Sequence, residues 1–253
     1  MNQNYSVSAT IVLYNNNLEK LNKAIQSFLN VENASILYLV DNSPTKIFEG
    51  KFNHPKIDYI YTGQNLGFGN GHNYILDKLN SDFHIILNPD VYFDAIQLEK
   101  MIEKLIQNEK AGVLGPKVLY PNGELQPSIR KFPTVFDLII RRSGPFKKFF
   151  KKRIESEEYL DQDIDKISQV DYVLGCFQLF KTPVFKELKG FDPRYFMYLE
   201  DIDICKEVYK HGYTVMFSPD TPIYHYYERA SSKNLSLFMA HIKSAFQYFC
   251  KWI

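Results

Sequence analysis

Two acidic stretches stand where acid chemistry belongs. Asn88-Pro89-Asp90 follows directly on the apolar run FHIIL, which places Asp90 at the carboxyl end of a strand, the side on which open α/β sheets bind ligands. A carboxylate there can hold a hard divalent cation against a diphosphate. Asn-Pro and Asp are also turn residues, and Asp90 can equally cap the next helix. The second stretch is Tyr198-Leu199-Glu200-Asp201-Ile202-Asp203-Ile204-Cys205. At about 100° per residue the apolar stripe Ile204, Cys205, Val208 and Tyr209 is centred almost where Asp201 points. Asp201 is therefore expected to face inward, with Glu200 at the stripe's edge and Asp203 on the opposite side. Burial raises the pKa of such a carboxylate and the helix dipole lowers it, which is how a general base is tuned. The same acids can also serve only as helix caps.

Two further stretches supply polar company. Gln64-Asn65-Leu66-Gly67-Phe68-Gly69-Asn70-Gly71-His72-Asn73 contains three glycines that permit close backbone approach to a ligand, and Asn65 and Asn73 can bond that ligand's hydroxyls. It departs from the dinucleotide fingerprint, because His72 occupies the third glycine position and the loop does not open the first strand-helix unit, so a Rossmann dehydrogenase is disfavoured. Later, His225 closes an expected strand, and Arg229 and Lys233 follow it. A histidine so placed serves structure or ligation, and the two cations can form a flap over a phosphate.

These residues need a scaffold that gathers strand ends. Short β-branched or apolar runs at 8–14, 36–40, 57–61 and 83–87 predict strands, and helical spacing predicts helices from residue 18 to 29, at 72–79 and at 95–107. Strand alternating with helix implies an α/β architecture with a mostly parallel central sheet and helices on both faces. The second half is less regular: strands are expected at 112–119 and, long and buried, at 170–180. Helices are expected from Thr182 to near Gly190, over 200–211 and, amphipathic, over 235–252. Between them, cations at 141–153 interleave with Phe146, Phe149 and Phe150, and acids follow at 155–165. This block suits an anionic membrane surface; it also fits a loop neutralised by its own acidic neighbour.

Composition narrows the function classes. Thirty Lys and Arg against twenty-nine Asp and Glu leave a net charge of +1, so no global field recruits nucleic acid. With 45% hydrophobic and 23% charged residues, the chain is expected to fold. Its 253 residues correspond to roughly 1.7 domains at about 150 residues each. Three cysteines, none in a C-x-x-C pair, encode neither a disulfide framework nor a zinc site and point to the cytosol. The apolar stretch near the start is short for a signal peptide, and no run approaches the ~18 residues of a membrane span.

Taken together, the strand carrying Asn15, the VDN at 40–42, the QNLGFGNGHN loop, LNPDV at 87–91 and GFDPRYFMYLEDIDIC at 190–205 resemble inverting glycosyltransferases of family 2 with the GT-A fold. The likeness is greatest to bacterial rhamnosyltransferases of surface-polysaccharide assembly. In this order and at these spacings the set is highly specific, and it spans about residues 8–249. The resemblance implies one GT-A domain over 1–253: a nucleotide-sugar half (1–110), an acceptor and catalytic half (111–234) with a charged loop at 141–166, and a helix at 235–253. It implies that Thr10, Val12 and Asp41 hold the donor's pyrimidine base, and that Asn15, Asn42, Asn65, Gly67, Phe68, Asn73, Asn88, Glu200 and Arg229 line the substrate site. Asp90 would take the place of the metal-binding acid of the family's D-x-D, with His225 as the late histidine that approaches the metal, Mg²⁺ or Mn²⁺. Asp201 would deprotonate the acceptor hydroxyl. The departure is Asn88 in place of the first acid: an amide can bond a ribose hydroxyl but adds no negative charge, which weakens the expected metal dependence. The implied donor is dTDP-L-rhamnose, with a UDP-hexose as alternative. The implied acceptor is a saccharide or a polyprenyl-diphosphate-linked one, which sets a cytoplasmic enzyme against the inner face of the membrane. A non-catalytic carbohydrate-binding relative is the rival from another class. A nucleotidyltransferase would need a glycine-rich phosphate loop where Asn15, Asn16 and Asn17 stand.

Overall fold

The structure is a computed structural model and describes residues 5–166, 168–227 and 235–252. Strand β1 (Val7–Leu13) is buried almost throughout, as a β-branched run covered on both faces must be. It leads into α1 (Leu18–Leu29), whose start is capped by the Asn17 side chain accepting from the Lys20 N–H. There follow β2 (Ala34–Asp41), β3 (Ile57–Tyr61), α2 (Phe68–Asn73), β4 (Phe83–Leu87), β5 (Val91–Tyr92), α3 (Ala95–Gln107) and β6 (Ala111–Leu119). The second half comprises β7 (Leu125–Gln126), β8 (Ile129–Arg130), α4 (Val135–Arg142), α5 (Lys151–Glu157), β9 (Tyr172–Val173), β10 (Phe177–Lys181), α6 (Thr182–Glu187), α7 (Glu200–Lys210), β11 (Thr214–His225) and α8 (Leu235–Trp252).

Nine strands form one sheet in the order β3-β2-β1-β4-β10-β6-β11-β5, with β7 beside β6. The β1–β2, β1–β4, β2–β3 and β6–β11 pairs are parallel. Strand β10 lies antiparallel between β4 and β6. Helices cover both faces: α1 and α3 press Leu21, Ile25, Phe28, Leu98 and Met101 onto one side, and α6 and α7 press Phe185, Ile204, Cys205 and Val208 onto the other. The reversal at β10 matters for the site, because its first residue, Phe177, pairs with Leu87 at the carboxyl end of β4. Likewise the antiparallel β11–β5 pair sets His225 opposite Val91, one residue beyond Asp90.

Three sequence expectations need correction. The long strand at 170–180 is broken into β9 and β10, which join different sheets. The chain turns between them at Gly175, where a Cβ would sit 3.2 Å from the Asp201 Cβ and 3.3 Å from the Phe68 ring, so glycine lets both pack close to the turn. The helix at 72–79 begins earlier, as α2, and gives way to a 3-10 turn at Leu76–Lys78. The charged 141–166 segment is largely helical: Thr134 and Asp137 cap α4 reciprocally, and a 3-10 turn at Gly144–Phe150 runs straight into α5. Among the described residues no helix is long and apolar enough to cross a membrane.

Candidate active site

Helix α7 starts from a strained lead-in. Tyr198 and Leu199 have φ of +73° and +67°, a left-handed conformation that costs a non-glycine residue about 1–3 kcal/mol. This turn delivers Glu200 and Asp201 at the helix start. Glu200 is buried, and one of its carboxylate oxygens has no hydrogen-bond partner. Asp201 keeps part of its surface open; one oxygen accepts from the Gly175 N–H at 3.0 Å and the other from the Ile202 N–H at 2.9 Å. Burial pushes the Asp201 carboxyl up, opposed by those two N–H groups and by the charge of Arg130. Burial also raises Glu200, and the neighbouring Asp201 raises it further. Two carboxyls so close disfavour a second negative charge. Asp203 does lie on the other side of the helix, yet it is buried too, because α8 covers that side. Lys251 meets it at 2.8 Å, the Trp252 indole N–H at 2.7 Å and the Tyr195 hydroxyl at 3.1 Å.

On the sheet, Asp90 and His225 come together, with His225 Nε2 3.4 Å from an Asp90 oxygen. Behind the ring, the Gln126 amide nitrogen lies 3.1 Å from Nδ1, while its buried Oε1 has no partner. Turning that amide over would let Oε1 accept from Nδ1–H and leave the Nε2 lone pair free for a cation, the arrangement a ligating histidine needs. One carboxylate and one imidazole fit a divalent cation whose other positions are filled by phosphate and water. Among the described residues no group of three or more acids, histidines or cysteines could hold a metal alone.

The two acids are joined by consecutive residues. Gly175 holds Asp201; the Cys176 carbonyl accepts from the Asn88 N–H at 2.9 Å, and the Cys176 thiol lies beside His225. Asp201 on one side and Asn88 and His225 on the other therefore flank one two-residue turn.

Other expected contacts are redirected. The Asn73 amide donates to the Phe191 carbonyl at 2.7 Å and accepts from the Phe191 N–H at 2.8 Å. The loop glycines meet protein rather than ligand. A Cβ on Gly67 would lie 1.9 Å from the Phe196 carbonyl, one on Gly69 2.9 Å from Phe191, and one on Gly71 2.7 Å from Val12. Gly67 and Gly69 let α2 dock on the 191–196 segment that leads into Asp201, where the Phe68 N–H donates to the Phe196 carbonyl, and Gly71 admits β1 at Val12. Phe68 itself lies against Gly175, next to Asp201. Asn65 accepts from the Gly67 N–H within its own turn and is exposed.

Thr10 and Asp41 both lie within the sheet. Thr10 is fully buried in the central sheet with its hydroxyl 3.0 Å from His84, and Asp41 is fully buried, accepting from the Tyr59 hydroxyl and the Ser43 N–H. Asn42 is buried and clamps the glycine loop by donating to the Gly67 carbonyl. Val12 is half-buried against Gly71, and Asn15 is exposed with φ of +51°. Arg229 lies outside the described residues. Sequence reasoning missed Gly175 and Cys176, hidden in an apolar run, and Arg130 on β8, a half-buried guanidinium whose charge reaches Asp201. Nothing local in Ser128-Ile129-Arg130 marks that residue.

Comparison with known proteins places this geometry. The profile of glycosyl transferase family 2 matches residues 8–188. An N-acetylglucosaminyl-diphospho-decaprenol L-rhamnosyltransferase of Mycobacterium tuberculosis is 26% identical over 211 residues, 76% of this chain and 66% of that one. Rhamnosyltransferase WbbL of Escherichia coli is 26% identical over 253 residues, 95% of this chain and 92% of its own. In fold, the chain is similar to GalNAc-T7 solved with UDP, GalNAc and Mn²⁺, with a TM-score of 0.68 and 14% identity, over 91% of this chain and 45% of that one. The chain thus spans just under two thirds of the mycobacterial relative. The family profile covers well over half of the chain, and the chain belongs to glycosyl transferase family 2.

Proposed function

We propose that this glycosyltransferase moves L-rhamnose from dTDP-L-rhamnose to a hydroxyl of a saccharide or polyprenyl-diphosphate-linked acceptor, with inversion at the anomeric carbon, on the cytoplasmic side of the membrane. The observation that carries the reading is the Gly175–Cys176 turn, which bonds Asp201 on one side and adjoins Asn88 and His225 on the other. Asp201 takes the proton of the acceptor hydroxyl as that oxygen attacks. Its raised pKa makes it a stronger base than an ordinary surface carboxylate, and its open edge lets the acceptor reach it. Glu200, buried beneath and raised further by its neighbour, keeps the pair from both ionising readily. Asp90 and His225 would hold Mn²⁺ or Mg²⁺, which supplies charge to offset the leaving diphosphate. The Asn88 side chain, half-buried and without a hydrogen bond among the described residues, can bond a donor hydroxyl. Rhamnose is favoured over a UDP-hexose because both curated relatives above are named for rhamnosyl transfer.

A panel of nucleotide sugars tested by thermal stabilisation, with and without Mn²⁺, examines the donor. dTDP-L-rhamnose at about 100 times its Kd should add about 2.7 kcal/mol of stability and should do so best with metal. A larger shift from a UDP-hexose would replace the donor, and no shift from any nucleotide sugar would remove the enzymatic reading. Product stereochemistry by NMR tests inversion, and retained configuration would rule out a direct displacement.

A further inference from the structure

The cationic block and α8 meet in space in a way the sequence does not show. The Arg142 guanidinium lies over the Phe238 ring at 4.7 Å, while the start of α4 and the end of α8 line one groove through Val135, Phe136, Phe249 and Trp252. The two helices therefore run side by side in opposite directions. On α8 the buried side is marked by Ser244 and Tyr248. Leu235, Met239, Ile242 and Phe246 recur at 4, 3 and 4 residues on the opposite side, and all are exposed, Leu235 by 76% and Phe246 by 71%. Beside them α4 exposes Val135, Phe136 and Ile139, and the 3-10 turn exposes Phe146 and Phe149, the latter by 82%. Contiguous apolar faces of this kind on a water-facing surface mark interaction sites.

The charge around this face is sorted by sign. Arg141 is taken up by Glu157 and Glu158, Arg153 by Asp137, and Asp165 by Lys117. Glu157, Glu158 and Asp137 thereby hold α4 and α5 together. Lys148 and Lys152 are exposed and form no ion pair among the described residues, and exposed Lys243 flanks the α8 stripe. Lys151 has a single long contact to Glu155 at 3.5 Å. In a chain with net charge +1 this is a local excess of positive charge around bare aromatic and aliphatic side chains.

We infer that the joined outer faces of α4, the Gly144–Phe150 turn and α8 dock the protein on an anionic lipid bilayer, apolar side chains entering the headgroup boundary and lysines meeting lipid phosphates. A second copy of the chain fits less well, since the same lysines would face one another across a two-fold interface. The inference does not rest on the catalytic reading.

Sedimentation with vesicles of phosphatidylcholine and phosphatidylglycerol in equal parts, against phosphatidylcholine alone, tests it with the full chain. Binding is expected to the mixed vesicles and to weaken with salt. Lys148→Gln with Lys152→Gln should lower affinity about 25-fold, at about fivefold per charge. Phe149→Ser with Phe246→Ser should lower it by about tenfold or more. All four positions are exposed, so circular dichroism and Tm should match the parent. Equal binding to neutral vesicles, no binding to either, or variants that bind like the parent would overturn the inference. So would a dimer that the Phe149→Ser, Phe246→Ser variant dissolves while vesicle binding stays absent.

Discussion

Asp201 and Asp203 sit two residues apart on α7, Asp203 buried and Asp201 partly open, and their surroundings differ in kind. Asp203 is met by an ammonium, an indole N–H and a phenol; Lys251 in turn reaches Asp192 and Glu207. Asp201 has two backbone N–H donors, a guanidinium at longer range and a second carboxyl as its neighbour. Burial pushes both carboxyls up; at Asp203 the Lys251 ammonium and the Trp252 indole N–H oppose that shift and tie α7 to α8. Asp201 meets only backbone N–H groups directly, at the end of a backbone lead-in that is itself strained. Under the proposed function Asp203 is a structural tie and Asp201 the base.

The contrast can be broken in order of effect. Asp201→Asn should lower transfer about 10³-fold and leave Tm unchanged or higher, as measured by initial rates and calorimetry. Lys251→Met should do the reverse: it leaves Asp203 buried without its ammonium and should cost about 3 kcal/mol of stability, read by urea unfolding, with turnover per folded molecule near the parent's. If Lys251→Met lost activity while staying folded, the division between tie and base would fail.

How much of this was legible before the structure follows from which residues interact locally. The strands at 57–61 and 83–87 and the helix at 95–107 have their expected bounds, because a β-branched run or a 3.6-residue period is written into consecutive positions. The inward direction of Asp201 came from the same periodicity. That Asp203 points the other way was equally legible; that α8 would cover it was not, since Trp252 and Lys251 lie 49 and 48 residues further on. The antiparallel insertion of β10 was hidden because a strand buried on both faces reads alike in either direction. Asn73, Gly67 and Gly69 stand out by type in the sequence, but that they pack on the 191–196 segment, 118 residues beyond Asn73 at Phe191, is a long-range contact no local pattern shows.

Two smaller effects sharpen the contrast. Asn73→Ala removes both bonds to Phe191 and should cost about 2 kcal/mol while also lowering turnover, because that clip holds the lead-in to Asp201; a variant with lower Tm and unchanged turnover would detach the clip from the site. For Glu200, burial and the adjacent Asp201 raise the folded-state pKa, so the native state binds more protons than the unfolded chain. Stability should therefore fall as pH rises above the ordinary carboxylate range and level off once the raised pKa is passed. Glu200→Gln should flatten that decline in Tm between about pH 5 and 9. A parental slope in the variant would assign the pH dependence elsewhere.

The central claim, that Asp201 acts on the acceptor while Asp90 and His225 serve the donor's diphosphate, is tested most directly by calorimetric titration of Asp201→Asn with dTDP-L-rhamnose and Mn²⁺, paired with a single-turnover assay on the same sample. The account predicts parental, metal-dependent donor affinity and no measurable transfer. Donor binding lost together with transfer, or transfer at the parental rate, would contradict it.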